Sequence, residues 1–294
     1  MNTVSLKVKG GRSRYLFLMP AMLILFSVII IPAVYSLYIS LFSWNGVSPH
    51  KKFVGLQNYF VLFTQDPTFQ KALINNLLWT LMTLFITVSV ALMFALLINK
   101  RFKGNTVVRG IIYLPYVFSG IVVSIIWTWV YQPQLGLLNS LYNLLGLGDF
   151  PVTLLANEDT AFYAVYAASL WQTVGAPMII FLAGLQTIPI ELYEAAHIDG
   201  AGKWHVFRLI TIPMLSETFV IVVATQIVRA LKVYDIIRGM TGGGPGISTQ
   251  TLASYMVQQT FTFTNYGIGS AIAWIMVVMM MVVVIPYVLY MSKD

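Results

Sequence analysis

Six long apolar runs decide what this chain can fold into. They cover residues 15–42, 73–98, 110–131, 160–185, 213–233 and 268–291, and most contain no charged side chain. A helix needs about 20 residues to cross a bilayer, and every run reaches that length. Only 9% of the 294 residues are charged, against about a quarter in soluble domains. So few charges cannot cover a water-facing surface, and lipid is the medium that accepts the remaining apolar area. The runs are too long for barrel strands and lack their alternation. Pro20, Pro32, Pro115, Pro177 and Pro286 fall inside or at the edges of these runs, where neighbouring helices can satisfy the backbone groups that proline frees. The expected fold is all-α: six transmembrane helices in a single domain over residues 1–294.

The net charge of +7 does not form a nucleic-acid footprint. The basic residues stand at the ends of apolar runs, where they set topology. Lys7, Lys9, Arg12 and Arg14, then Lys100, Arg101, Lys103 and Arg109, then Lys203 and Arg208, and finally Lys293 fall on alternate flanks. The opposite flanks hold Lys51, Lys52 and Lys71, and more weakly Arg229, Lys232 and Arg238. The first set is larger, so both termini are expected in the cytoplasm. The first run is too long for a signal-peptide core and has no small-x-small cleavage site, which predicts a retained helix. Trp44, Trp127, Trp129, Tyr131, Tyr287 and Tyr290 sit near run ends, as interfacial aromatics do.

Several chemistries are excluded. Without cysteine there are no disulfides, thiolate metal sites or Cys nucleophiles. His50, His197 and His205 fall in loops, no His-Glu-x-x-His run occurs, and no carboxylate pair lies within a span, so neither an intramembrane enzyme nor a metal site is expected. An ion-coupled secondary carrier is the alternative class of function. It needs intramembrane acids, and Glu217 is the single candidate.

Residues 189–213 read PIELYEAAHIDGAGKWHVFRLITIP. Pro189 suits a first helical turn, Glu191 complements the helix dipole, and Gly200 and Gly202 supply a stop. A short helix over about 189–199 is expected, then a turn and a second helical piece. Ala195 and Ala196 make one face thin enough for a partner backbone to approach. Met240–Gly246 reads MTGGGPG; glycine there lets the backbone fold where side chains would clash. No Lys-Ser or Lys-Thr follows it, so it is not a P-loop.

The first of these stretches resembles the EAA loop of ABC importer permeases: Glu194, Ala195, Ala196, then Gly200, then Ile210, Ile212 and Pro213. Ile212 stands where leucine is usual, and the two are close in volume. The Gly242-Gly243-Gly244-Pro245 element before the last run resembles the carbohydrate class of these permeases, the maltose and glycerol-phosphate type, in a compact six-span form. The resemblance implies a type I importer permease whose loop 189–213 is the coupling helix docking on an ATPase subunit. It also implies partners: a second permease subunit, two ABC ATPase subunits and an extracytoplasmic solute-binding protein. ATP and Mg would be bound by the ATPase partners, with no cofactor in this chain, and the cargo would be a sugar.

Polar side chains inside spans face a pathway or a partner. Gln172 follows Trp171 in the fourth run, and an amide and an aromatic face suit hydroxyls and sugar rings. In the maltose-type relative this stretch lines the sugar site, so the resemblance implies a pathway role. In the fifth run Thr225, Arg229 and Lys232 recur at helical spacing beside Gln226. Two readings stand. Arg229 and Lys232, roughly 24–29 Å beyond Pro213, snorkel to the outer interface; or they line the path and meet an acidic sugar such as a uronate.

Overall fold

The computed structural model describes residues 11–100, 102–148 and 153–291. Lys7, Lys9, Arg101 and Lys293, counted above as topology signals, lie outside the described residues, as do the side chains of Arg12, Arg14 and Tyr290.

Three helices are long and apolar enough to cross a membrane unbroken: α1 (Leu18–Ser40), α3 (Pro67–Ile98) and a last helix. Between α1 and α3, a two-stranded hairpin pairs β1 (Phe42–Ser43) with β2 (Lys52–Phe53) in antiparallel register Phe42↔Phe53. The short α2 (Gln57–Gln65) follows. The apolar run predicts α3 from residue 73, but the helix begins at Pro67. Asp66 makes the earlier start: its carboxylate accepts the Phe69 N–H at 2.9 Å, and Pro67 supplies a first-turn residue with no N–H to satisfy.

The third, fourth and fifth runs are not single helices. Each is a pair bent at a short break: α4 (Asn105–Val117) and α5 (Gly120–Val130) by 103°, α7 (Glu158–Thr173) and α8 (Gly175–Thr187) by 43°, and α10 (Lys203–Met214) and α11 (Ser216–Leu231) by 68°. With each pair taken as one span, the total is up to six. The sharpest bend has a local cause. Phe118 and Ser119 are extended, with ψ 143° and 152°, and the Ser119 hydroxyl restarts the helix by accepting the Val122 N–H. Wide turns at Leu25–Ile30 and Phe207–Thr211 lie just upstream of Pro32 and Pro213, the places where a ladder of backbone bonds cannot continue unchanged.

The connecting pieces are α6 (Leu137–Leu144), α9 (Ile190–Ile198), α12 (Asp235–Met240) and α13 (Leu252–Val257), and the chain ends on α14 (Tyr266–Met291). Close crossings use glycine, as membrane bundles do. A Cβ on Gly175 would stand 2.6 Å from the Ile112 carbonyl oxygen and 2.8 Å from the Tyr113 Cα. Gly120 abuts Asp235, and Gly239 abuts Ser124, so α5 and α12 lie tightly together. Most large side chains of α1 are exposed, which fits a helix clad in lipid. The buried core sits where α3, α7, α8 and α11 meet, around Trp79, Tyr166, Met178, Phe181 and Leu215.

Candidate functional site

The break at Phe118, the last turn of α7 and the far end of α11 frame a cleft of about 410 Å³, within the range of roughly 300–1,000 Å³ typical of small-ligand sites. Its walls include Trp79 and Thr83 of α3, Tyr116 and Phe118 at the first break, Gln172 of α7, and Gln226, Arg229, Lys232 and Asp235 around the end of α11. Four residues singled out in the sequence, Gln172, Gln226, Arg229 and Lys232, are thus brought together from two separate runs.

Each is placed by local geometry. Gln172 lies in the last turn of α7, and its Nε2 donates to the Phe118 carbonyl at 2.9 Å. That amide satisfies a backbone oxygen that the extended break at Phe118 leaves without a helical partner. Gln226 is buried at 4% exposure, and its Oε1 has no hydrogen-bond partner. Arg229, one turn further on, sets its guanidinium 4.9 Å from the centroid of the Tyr116 ring, a cation–π arrangement. Lys232 is exposed and ends α11, its N–H bonded back to the Arg229 carbonyl at 3.2 Å.

Trp171 does not join this wall. Neighbours on a helix point about 100° apart, and its ring packs edge-on against Trp127 at 5.8 Å instead. Thr225 also turns away, its hydroxyl spent on the Ile221 and Val222 carbonyls. Asp235 and Arg238 stand in different surroundings: Asp235 lines the cleft with its Cβ set against Gly120.

A second set of polar residues stands apart from these. Asn75 and Asn76 are buried in α3 and stitch irregular backbone on two sides. Asn75 donates to the Ser248 and Gln250 carbonyls at 2.8 Å each. Asn76 donates to the Ala230 and Leu231 carbonyls at 3.4 and 3.2 Å and accepts the Leu252 N–H at 2.8 Å. They anchor the end of α11 and the segment after the glycine run to one helix. Their signal was two adjacent amides in an otherwise apolar run.

The glycine run is a built turn. Gly242 and Gly243 have φ of 64° and 102°, and Gly244–Pro245 is a cis peptide. A Cβ on Gly243 would collide with the Gln250 side chain. Thr249 closes the turn, donating to the Gly244 carbonyl at 2.9 Å and sharing a 2.7 Å hydroxyl contact with Thr241. A polar chain secures the next element: the Tyr255 hydroxyl donates to Asp66 at 2.5 Å and accepts from Gln259 at 2.6 Å. Burial first, then the bond to Asp66 and its charge, push the Tyr255 hydroxyl well above the usual phenol range.

At another end of the molecule, α9 carries Glu194, Ala195 and Ala196, and none of its residues is buried. Gly200 closes it in the left-handed region, φ 74°. The Ala201 N–H reaches the Ala196 carbonyl at 2.9 Å and the Gly200 N–H reaches that of His197 at 3.1 Å, the paired bonds of a Schellman cap. Tyr193 ties α9 to the bundle through a 3.3 Å contact with Thr211. Tyr193 and His197 share a hollow with Leu96, which puts α9 at the same end as Lys100 and Lys103. Ile210 and Ile212 are half-buried, and Pro213 is exposed.

Residues 87–292 match the family described as the binding-protein-dependent transport system inner membrane component. A probable ABC transporter permease protein of Pyrococcus horikoshii is 38% identical, with 95% of each chain covered. The trehalose/maltose transport system permease protein MalF of Thermococcus litoralis is 34% identical over 97% of this chain and 95% of its own. The sulfoquinovosyl glycerol transport system permease protein SmoG of Agrobacterium fabrum is 36% identical over 95% and 90%. Among solved structures, a chain of a bacterial ABC transporter involved in import of the acidic polysaccharide alginate superposes with a TM-score of 0.83. It is 22% identical, and 96% of each chain is covered; the likeness is one of fold. On these grounds the chain belongs to the family of inner-membrane components of binding-protein-dependent transport systems.

Proposed function

We propose that this chain is one of two membrane-spanning subunits of an ATP-driven importer that passes sugars or glycosides from an extracytoplasmic binding protein to the cytoplasm. The observation that carries this is α9, a capped helix with no buried residue, presenting Glu194, Ala195 and Ala196 at the end of the molecule that bears Lys100 and Lys103. A short helix held rigidly but packed on one side only is suited to receive another protein, here an ABC ATPase subunit. Through α10 and α11 a push on α9 reaches the cleft wall, and a rigid-body rocking of the halves would expose the cleft to alternate sides.

Several parts of this reading go together. ATP and Mg²⁺ belong to the ATPase partners, and this chain performs no chemistry of its own. Gln172, Gln226, Arg229 and Lys232 line the path, and the turn at Gly242, Gly243, Gly244 and Pro245 supports the outer end of α11. Sugar cargo is supported by the relatives' names, which include trehalose/maltose, sulfoquinovosyl glycerol and starch degradation products. The test is to purify the chain with co-expressed ATPase subunits and second permease, then measure ATP hydrolysis with sugar-loaded binding protein. Stimulation by loaded binding protein is expected, and a chain that takes up sugar alone under an ion gradient would refute the proposal.

A further inference from the structure

We infer that the cleft selects glycans carrying a negatively charged group, with Arg229 and Lys232 as its anion-reading residues; this rests on the sugar-import reading above. The wall holds two cations against one carboxylate, Asp235. Neither Arg229 nor Lys232 forms an ion pair among the described residues. A cation within a spanning helix is costly unless partnered, and the Tyr116 ring is the contact that holds Arg229. Its guanidinium lies over a cleft-lining ring, which turns it toward the cleft. Guanidinium offers a planar set of donors that fits carboxylate, sulfate or sulfonate, and ammonium adds a second charge.

The same wall asks for hydroxyls. Gln226 is more than nine-tenths buried, yet its Oε1 accepts nothing. Gln172 has committed its Nε2 to Phe118, which leaves its Oε1 as the available atom. Both amides therefore offer acceptors to hydroxyl donors. A neutral sugar would satisfy the amides and leave two cations without partners. A simple inorganic anion would do the reverse. A polyhydroxylated ring bearing one anionic group satisfies both, since the excess on the wall is a single positive charge.

The test uses the intact importer, with its partner subunits and binding protein, in proteoliposomes. Uptake is compared for neutral disaccharides and the corresponding uronate-bearing disaccharides. Uronates are expected to enter at least about tenfold faster, the scale of one charged hydrogen bond. Arg229→Gln and Lys232→Gln should each lower uronate uptake roughly tenfold. Asp235→Asn should raise uronate uptake, a change that misfolding does not produce. Neutral disaccharides entering as fast as uronates, or uronate uptake indifferent to Arg229→Gln and Lys232→Gln, overturns the inference and leaves sugar import standing. If no disaccharide of either kind enters, the sugar-import reading itself falls, and the inference with it.

Discussion

Asn76 satisfies one N–H and two carbonyls on two other elements, so Asn76→Ala strands three buried backbone groups at once. Each costs about 1–3 kcal/mol when left unpaired, and the expected result is a loss of several degrees in the thermal midpoint of the detergent-solubilised protein. Gly200 is a different case. Its φ of 74° is disfavoured for L side chains by roughly 1–2 kcal/mol, and no atom lies near its absent Cβ. Gly200→Val should therefore leave the bundle folded while fraying the cap of α9, seen as weakened sugar-stimulated ATP hydrolysis in an assembled complex of normal midpoint. The Tyr255 hydroxyl is held protonated by burial and by Asp66. Its raised pKa means the stability it contributes is complete below the unfolded value of about 10 and is lost as pH climbs beyond that. Ionisation of this phenol in the folded protein, followed by the phenolate band, should accordingly start at lower pH in Asp66→Asn, where one cause of the raised value is removed.

The elements were legible in the sequence by length and not by shape. Apolar runs announce six crossings because the bilayer sets a minimum length. They do not announce bends, since membrane helices accept Pro and Gly both straight and broken. Pro115 lies inside α4, and the break falls later, at Phe118–Ser119; what permits it is a partner, Gln172, on another helix. No local pattern records such a partner. Helical spacing singles out Thr225, Arg229 and Lys232 of α11 with Gln226 beside them, and the structure sets the last three on the cleft wall while Thr225 bonds back to its own helix. Trp171 stands off the cleft wall because sequence adjacency to Gln172 is not a shared face. Close crossings give a check on the observed packing: Gly175→Ala would drive a methyl into the backbone of Ile112 and Tyr113. Backbone cannot yield as a side chain can, so a cost of about 1–3 kcal/mol is expected, measured by thermal unfolding. Gly202→Ala, where no atom lies within reach, is the neutral control.

The native chain has no cysteine, so single engineered thiols report sidedness without background. Ala195→Cys is expected to react with a membrane-impermeant maleimide only in inverted vesicles, and Ser48→Cys only in right-side-out cells. The opposite pattern would undo the importer reading, because α9 would then face away from any source of ATP. The exposed face formed by α9 and the start of α10 also bears on how cells make this protein. Ile190, Ile198 and Trp204 are 62, 85 and 68% exposed, and on the proposed reading a copy that never meets an ATPase subunit keeps that greasy handle on display to the proteases that clear unassembled subunits. Its lifetime should then be set by supply of the partner: in a pulse-chase experiment without ATPase subunits the chain decays faster, and synthesis of the two is held in proportion by destruction of the excess.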